Sequence, residues 1–171
     1  IIHIGYIDRI AFALHGDCRH EFTADIMTLE PQQTPMIFER SADAWRTHPD
    51  NYWALETIIS TAADHLFGRA LDYAWCHIAM LPGTLLAILP TVQRRDMAHV
   101  AEYILPIRDS VQTKAVGWLA WEDPFILGRD PEELKREREE DINETHKRLS
   151  YVIPILQMFN QISDGRDEAT W

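Results

Sequence analysis

The chain has 171 residues, 46% of them hydrophobic, enough for one domain whose core needs neither disulfides nor metals. Sixteen Lys and Arg stand against 27 Asp and Glu, a net charge of −11; this excludes a nucleic-acid backbone as the main partner, because phosphate contacts need clustered cations. No apolar run approaches the roughly 20 residues of a membrane span, and two cysteines, Cys18 and Cys76, form neither a disulfide framework nor a metal knuckle, which suits a reducing, cytoplasmic setting.

The chain opens Ile1-Ile2-His3, without a methionine or a signal-peptide pattern, so residues upstream of Ile1 are allowed for. A first helix is expected from about Gly5 to His15, with Ile7, Ile10, Ala11 and Leu14 on one face. Gly16 can end it and Asp17 can cap the next, whose apolar face is Cys18, Phe22, Ile26 and Leu29. Pro31 and Pro35 bracket a loop, and Thr34 with Pro35 reads as the start of a short helix.

Asp50 is a good N-cap for a long helix over about 51–81, with Tyr52, Leu55, Ile59, Ala62, Leu66, Ala70 and Tyr73 at helical spacing. Leu81-Pro82-Gly83 stops it. Pro90, Pro106 and Pro124 then divide the middle into short helices near 84–93, 96–105 and 108–121. Asp130, Pro131 and Glu133 form a capping box for a final helix over 130–162, kinked near Pro154, with 163–171 a frayed tail. The pattern predicts a single all-α domain, 1–171: an irregular, mostly antiparallel bundle of about six to eight helices, or else a short helical-repeat array.

Asp96, His99 and Glu102 recur at i, i+3, i+6, which could gather metal ligands on a helix. However, Met97, Val100, Ala101 and Ile104 define that helix's apolar face, so the three are expected to look into water. His77 falls in line with Ile59, Leu66 and Ala70 on the long helix. It is expected to be buried, as a neutral core imidazole or as a ligand or general base. No HExxH, GxSxG or paired ExxH motif is present.

The acid surplus lies in residues 17–64, nine acids against three bases. Within them Asp17, Glu21 and Asp25 recur at i, i+4, i+8, a spacing at which like charges oppose one another. Trp118 and Trp121, at i, i+3, cannot both face one core unless their helix is sandwiched, so an exposed tryptophan would mark a contact surface. Two functions of different class follow. One is an acidic, non-catalytic protein-binding module (an inhibitor, an immunity-type partner or an assembly subunit) that uses Asp17, Glu21, Asp25, Trp118 and Trp121 against a basic protein surface, without a cofactor, and that can form a homo-oligomer. The other is a small helical enzyme or ligand binder using buried histidine and carboxylates, with Glu21, Asp25 and His77 as divalent-metal candidates.

Overall fold

The structure, a computed structural model, describes residues 1–29, 34–75 and 77–165. Four strands, β1 (Ile2–Ile4), β2 (Met36–Arg40), β3 (Ile78–Met80) and β4 (Gln112–Val116), make one mixed sheet in the order β1-β3-β2-β4. β3 runs antiparallel to both β1 and β2, whereas β2 and β4 are parallel, Met36 facing Gln112 and Arg40 facing Val116. The all-α expectation is therefore corrected. The protein is a mixed α/β fold, neither a helical bundle nor a helical-repeat array.

The strands escape a periodicity reading for physical reasons. β3 is buried at all three positions, so it has no polar alternation and cannot be told from a buried helical turn by pattern. β4 is an edge strand, exposed at four of five positions, and its Gln-Thr-Lys-Ala run has no apolar face to betray it. β2 occupies the place where a short helix after Pro35 is expected, and β4 the place of the expected helix near 108–121.

Side chains of the two inner strands alternate between two cores. Ile37, Ile78 and Met80 pack with α4 (Asp50–Phe67), α6 (Ala98–Ile104) and α9 (Ile142–Ser163) through Ile59, Ala63, Ile104, Val152 and Phe159. Phe38, Ala79 and Val116 pack on the other face with Ala13 of α1 (Ile7–His15), Phe22 of α2 (Arg19–Met27) and Trp118. The sheet is thus sandwiched between helical layers, each fully buried large apolar side chain contributing roughly 1.5–3 kcal/mol.

The predicted long helix ends early, at Gly68. This residue takes φ +71°, a left-handed C-terminal cap open to glycine without a Cβ penalty, and donates its N–H to the Asp64 carbonyl at 2.8 Å. Arg69 then reaches the carbonyls of Arg108 and Val111 instead of continuing the helix. The predicted C-terminal helix is two: α8 (Pro131–Glu140) and α9, separated at Asp141. Asp130 caps α8 through the Glu133 N–H at 2.9 Å, as expected from its capping box, and Asp141 caps α9 through the Asn143 N–H at 2.9 Å. Pro154 lies inside α9. The other α-helices among the described residues are α3 (Ala42–Thr47), capped by Ser41, α5 (Pro82–Ile88) and α7 (Asp123–Leu127). Pro31, Cys76 and most of the expected tail lie outside the described residues. No helix among the described residues is long and apolar enough to cross a membrane.

Candidate functional site

The most unusual feature of the interior is ionic. Arg40, at the end of β2, has a fully buried side chain. Its Nη1 donates to Glu56 Oε2 at 2.7 Å, while its Nε and Nη2 donate to the two Asp72 oxygens at 3.0 Å each. The guanidinium also lies 3.4 Å from the ring centroid of Trp45 and 4.5 Å from that of Trp75. Glu56 is saturated in turn: Trp75 Nε1 donates to its Oε2 at 2.7 Å and Arg148 Nη1 to its Oε1 at 2.9 Å. Burial alone would raise the Glu56 carboxyl, but Arg40 and Arg148 outweigh it and hold it below its usual range. Asp72 shares Arg40 with Glu56, so burial and the neighbouring carboxylates push it up to about 6.

This array borders a cleft of about 240 Å³. Arg9 of α1 lines it, its guanidinium 4.1 Å from the Trp75 ring centroid, paired with Glu122 and donating to the Ala120 carbonyl at 2.7 Å. Burial, with Arg40 and Arg148 close by, pulls its pKa down to about 9, so it is still a cation at neutral pH but a costly one. Asp8 and Asp123 line the cleft as well. Lys147 and Arg148 of α9 also line it, Arg148 stacked 3.5 Å from the Tyr52 ring centroid. Arg148 Nε has no hydrogen-bond partner among the described residues. Ile59, Ala74, Met97, Val152 and Ile155 supply apolar lining, with Tyr151 and Trp121 adding aromatic surface. Among the described residues the lining includes no Ser, Thr, Cys or His.

The residues singled out from the sequence lie elsewhere or play other parts. Asp17 is exposed, and α2 begins without a side-chain cap from it. Glu21 accepts the Gly117 N–H at 2.8 Å, and an added Cβ at Gly117 would meet Glu21 Oε2 at 2.9 Å, so the loop after β4 closes tightly on this carboxylate. Asp25 is buried, accepting from Lys114 Nζ at 2.7 Å and from Trp118 Nε1 at 2.8 Å. Its position on the apolar flank is thereby explained: it fixes Trp118 in the second core. Trp118 and Trp121 are both buried, and Trp121 alone reaches the cleft.

His77 is fully buried, as expected, but in the turn leading to β3 rather than on a helix. Its Nε2 accepts the Tyr6 N–H at 3.4 Å, and burial drives its pKa down to about 3. Among the described residues no group of three or more His, Cys, Asp and Glu is arranged to hold a metal, so Glu21, Asp25 and His77 do not form one centre. Glu102 departs from its expectation. It is buried, because the segment before α6 folds back over it, and its Oε2 accepts the N–H groups of Gln93 and Arg94 at 2.9 and 2.8 Å.

An Asp25→Ala variant is expected to leave the Trp118 indole N–H buried and unpaired, at a cost of about 1–3 kcal/mol. Urea melts should show a lower midpoint with an unchanged slope. An unchanged midpoint would mean that Asp25 is free for an outside partner.

Arg9, Arg40, Glu56, Glu122 and Arg148, the working groups of the cleft and its support, are absent from the sequence-based candidates. Comparison with protein-family models, curated proteins and solved structures finds no match.

Proposed function

We propose that this protein is a small-molecule binder and that the cleft between α1, α7 and α9 is its binding site. The observation that carries the reading is Arg9: a buried guanidinium, its pKa pulled down to about 9, laid against Trp75 at the lining of a solvent-reaching cleft. Stability alone does not favour such an arrangement, since a buried ion pair is often matched or exceeded by apolar residues of similar volume. Strained titratable groups that converge on a cleft with apolar and aromatic lining are what ligand recognition needs.

A thermal-shift screen of small metabolites tests this. A ligand at about 100 times its Kd adds about 2.7 kcal/mol of stability, roughly 5–10 °C in Tm for a chain of this size. The shift should vanish in Ala74→Leu, which fills the cleft with a side chain at a partly exposed position, while that variant folds. A shift that persists in Ala74→Leu, or no shift from any compound together with no small molecule retained in native mass spectra, would sink the reading.

A second reading, the acidic protein-binding module in a cytoplasmic setting, is favoured by a separate observation. Phe125, Ile126 and Leu127 of α7 are each about half exposed, and Ile7 of α1 is 84% exposed. Apolar groups displayed on a chain of net charge −11 suit a partner with a mixed apolar and basic face. Size-exclusion chromatography with a triple Phe125→Ser, Ile126→Ser, Leu127→Ser variant tests it: unchanged elution and unchanged partner capture would remove this reading.

A further inference from the structure

α4 and α9 lie side by side and run in the same direction. Asn51 and Tyr52 meet Thr145 and Glu144, Glu56 meets Arg148, and the Phe67 ring meets that of Phe159. Tyr52, Glu56, Ile59 and Ala63 of α4 and Val152, Ile155 and Phe159 of α9 are the buried stripes. At about 100° per residue, Asn51, Leu55, Ile58 and Ala62 share one flank of α4, and Thr145, Leu149, Ile153 and Leu156 share one flank of α9. The hydrogen bond from Asn51 to Thr145, 3.3 Å, joins the two flanks, so they border one groove. Ile58 and Ile153 stand there about half exposed.

This groove differs from the rest of the surface in its lack of charge. A quarter of all residues in the chain are charged. Yet from Asn51 to Ala63 α4 carries only Glu56, which is buried, and from Leu149 to Ser163 α9 carries none. At the N-terminal end of the groove Asp50, Lys135 and Glu139 are bonded among themselves. We propose that this face joins two copies of the chain about a two-fold axis. Two chains of net charge −11 repel each other wherever their acids approach, and a charge-free apolar face is where that repulsion is least. A two-fold contact requires a patch that complements itself, and Ile58 and Ile153 beside the small Ala62 offer knobs and a hole on each copy. A basic protein would be drawn to the acids elsewhere, and an anionic leaflet would repel the chain, so this face suits neither. α4, with 18 residues, is about 27 Å long, and two helices abreast are about 20 Å wide. The footprint is then roughly 500 Å² on each copy, at the lower end of what a specific dimer needs. Arg148 and Ile155, which line the cleft, lie on the other flank of α9, so association leaves the cleft open and holds with or without a ligand there.

Sedimentation equilibrium of the intact chain tests this. From about 1 to 200 μM the mass should rise from 19.9 kDa toward twice that value, with a Kd of about 10 μM. Raising NaCl from about 50 to about 500 mM should tighten the dimer severalfold, because salt screens the repulsion between the copies. Ile58→Asp combined with Ile153→Asp, both at half-exposed positions, should remain monomeric throughout, with circular dichroism showing the fold retained. Should that variant not fold, Ile58→Thr combined with Ile153→Thr keeps the β-branches and should weaken the dimer about tenfold. Serine at Phe125, Ile126 and Leu127 of α7 should leave the dimer unchanged. A wild-type chain that is monomeric at about 200 μM overturns the proposal. So does a dimer that keeps its Kd in the folded Ile58 and Ile153 variants, that is lost with the α7 substitutions, or that loosens as salt rises. A monomer that floats with phosphatidylcholine vesicles overturns it in favour of a neutral lipid surface.

Discussion

Replacing Arg40 by methionine is expected to lower stability at pH 7 by about 3–5 kcal/mol, which for a chain of this length corresponds to a fall in Tm of about 6–20 °C. The size of the effect comes from what is left behind. Arg40 supplies three of the hydrogen bonds that satisfy Glu56 and Asp72, and with it gone Glu56 stays buried and Asp72 largely so. The loss of stacking on Trp45 adds to this. Arg40→Lys should fall between the wild type and Arg40→Met, because a point charge keeps the Coulomb term and loses the fork that holds Asp72 at both oxygens. Combining Arg40→Met with Asp72→Asn should recover part of the loss, since Asp72 then carries no charge and Glu56 keeps Arg148 as its counter-ion. An Arg40→Met protein melting within 2 °C of wild type, on the same scale of about 2–4 °C per kcal/mol, would mean that water reaches these carboxylates and that the array is not a buried one.

The same array accounts for what could be read in the sequence and what could not. Caps and long apolar stripes are local, and they were legible: Asp130 with Glu133 opens α8, and the core face of α4 contains Tyr52 and Ile59 as their spacing predicts. The short central strands are not legible, because burial on both faces erases the alternation that identifies a strand. The cleft left a faint signal. Tyr52, Glu56, Ile59 and Ala63 fall on one stripe of α4, and Glu144, Arg148, Val152, Ile155 and Phe159 on one stripe of α9. A charged residue in line with a core stripe must find a buried counter-charge, so Glu56 and Arg148 were identifiable as a kind if not as a pair. Arg9 offered less. The apolar residues of α1 suggest a core face through Ile7 and Leu14, yet those two are exposed and Arg9 and Ala13 are buried. Tertiary pairing with Glu122, far away in the chain, reverses what the local pattern implies.

The cleft and the array also constrain each other. Glu56, Ile59, Arg148, Val152 and Ile155 belong to the seam between α4 and α9, and the same side chains line the cleft. A ligand held by Arg148 would therefore load the helix pair that carries the first core, coupling occupancy to global stability through mass action alone. This is why a thermal shift is a sensitive readout here and why cleft substitutions must be judged against the unliganded melt of the same variant.

Acidification should destabilise the fold in two stages, and the histidines set the first. His3, His48 and His77 are all held below the ordinary imidazole pKa of 6.5, chiefly by burial: His77 down to about 3, His48 well below, His3 to a smaller extent. The folded state therefore binds fewer protons than the unfolded chain once pH drops below 6.5. Their contribution to stability is complete above that value and is lost on acidification, at up to about 1.4 kcal/mol per pH unit for each ring. Asp72, raised to about 6 from 3.8, and Glu39, raised from 4.5, act in the opposite direction. They take up protons in the folded state before they do in the unfolded one, and so offset part of the loss until pH reaches their unfolded values. Below about pH 4.5 the Glu39 offset ends, and below about 3.8 that of Asp72, while Glu56 and Glu144, both held below their ordinary range in the folded state, begin to add to the loss. Tm should thus fall gently from pH 6.5 to about 5 and steeply below about 4.5. His77 gives the sharpest test, because its ring has no room to move toward water: an added Cβ on Gly5 would lie 2.6 Å from its Nδ1. His77→Gln keeps an acceptor for the Tyr6 N–H and has nothing to protonate, so its deficit relative to wild type at pH 7 should shrink by about 2 kcal/mol by pH 5. Parallel Tm–pH curves for wild type and His77→Gln between pH 7 and 4.5 would show that this imidazole takes up its proton in the folded state as readily as in the unfolded chain.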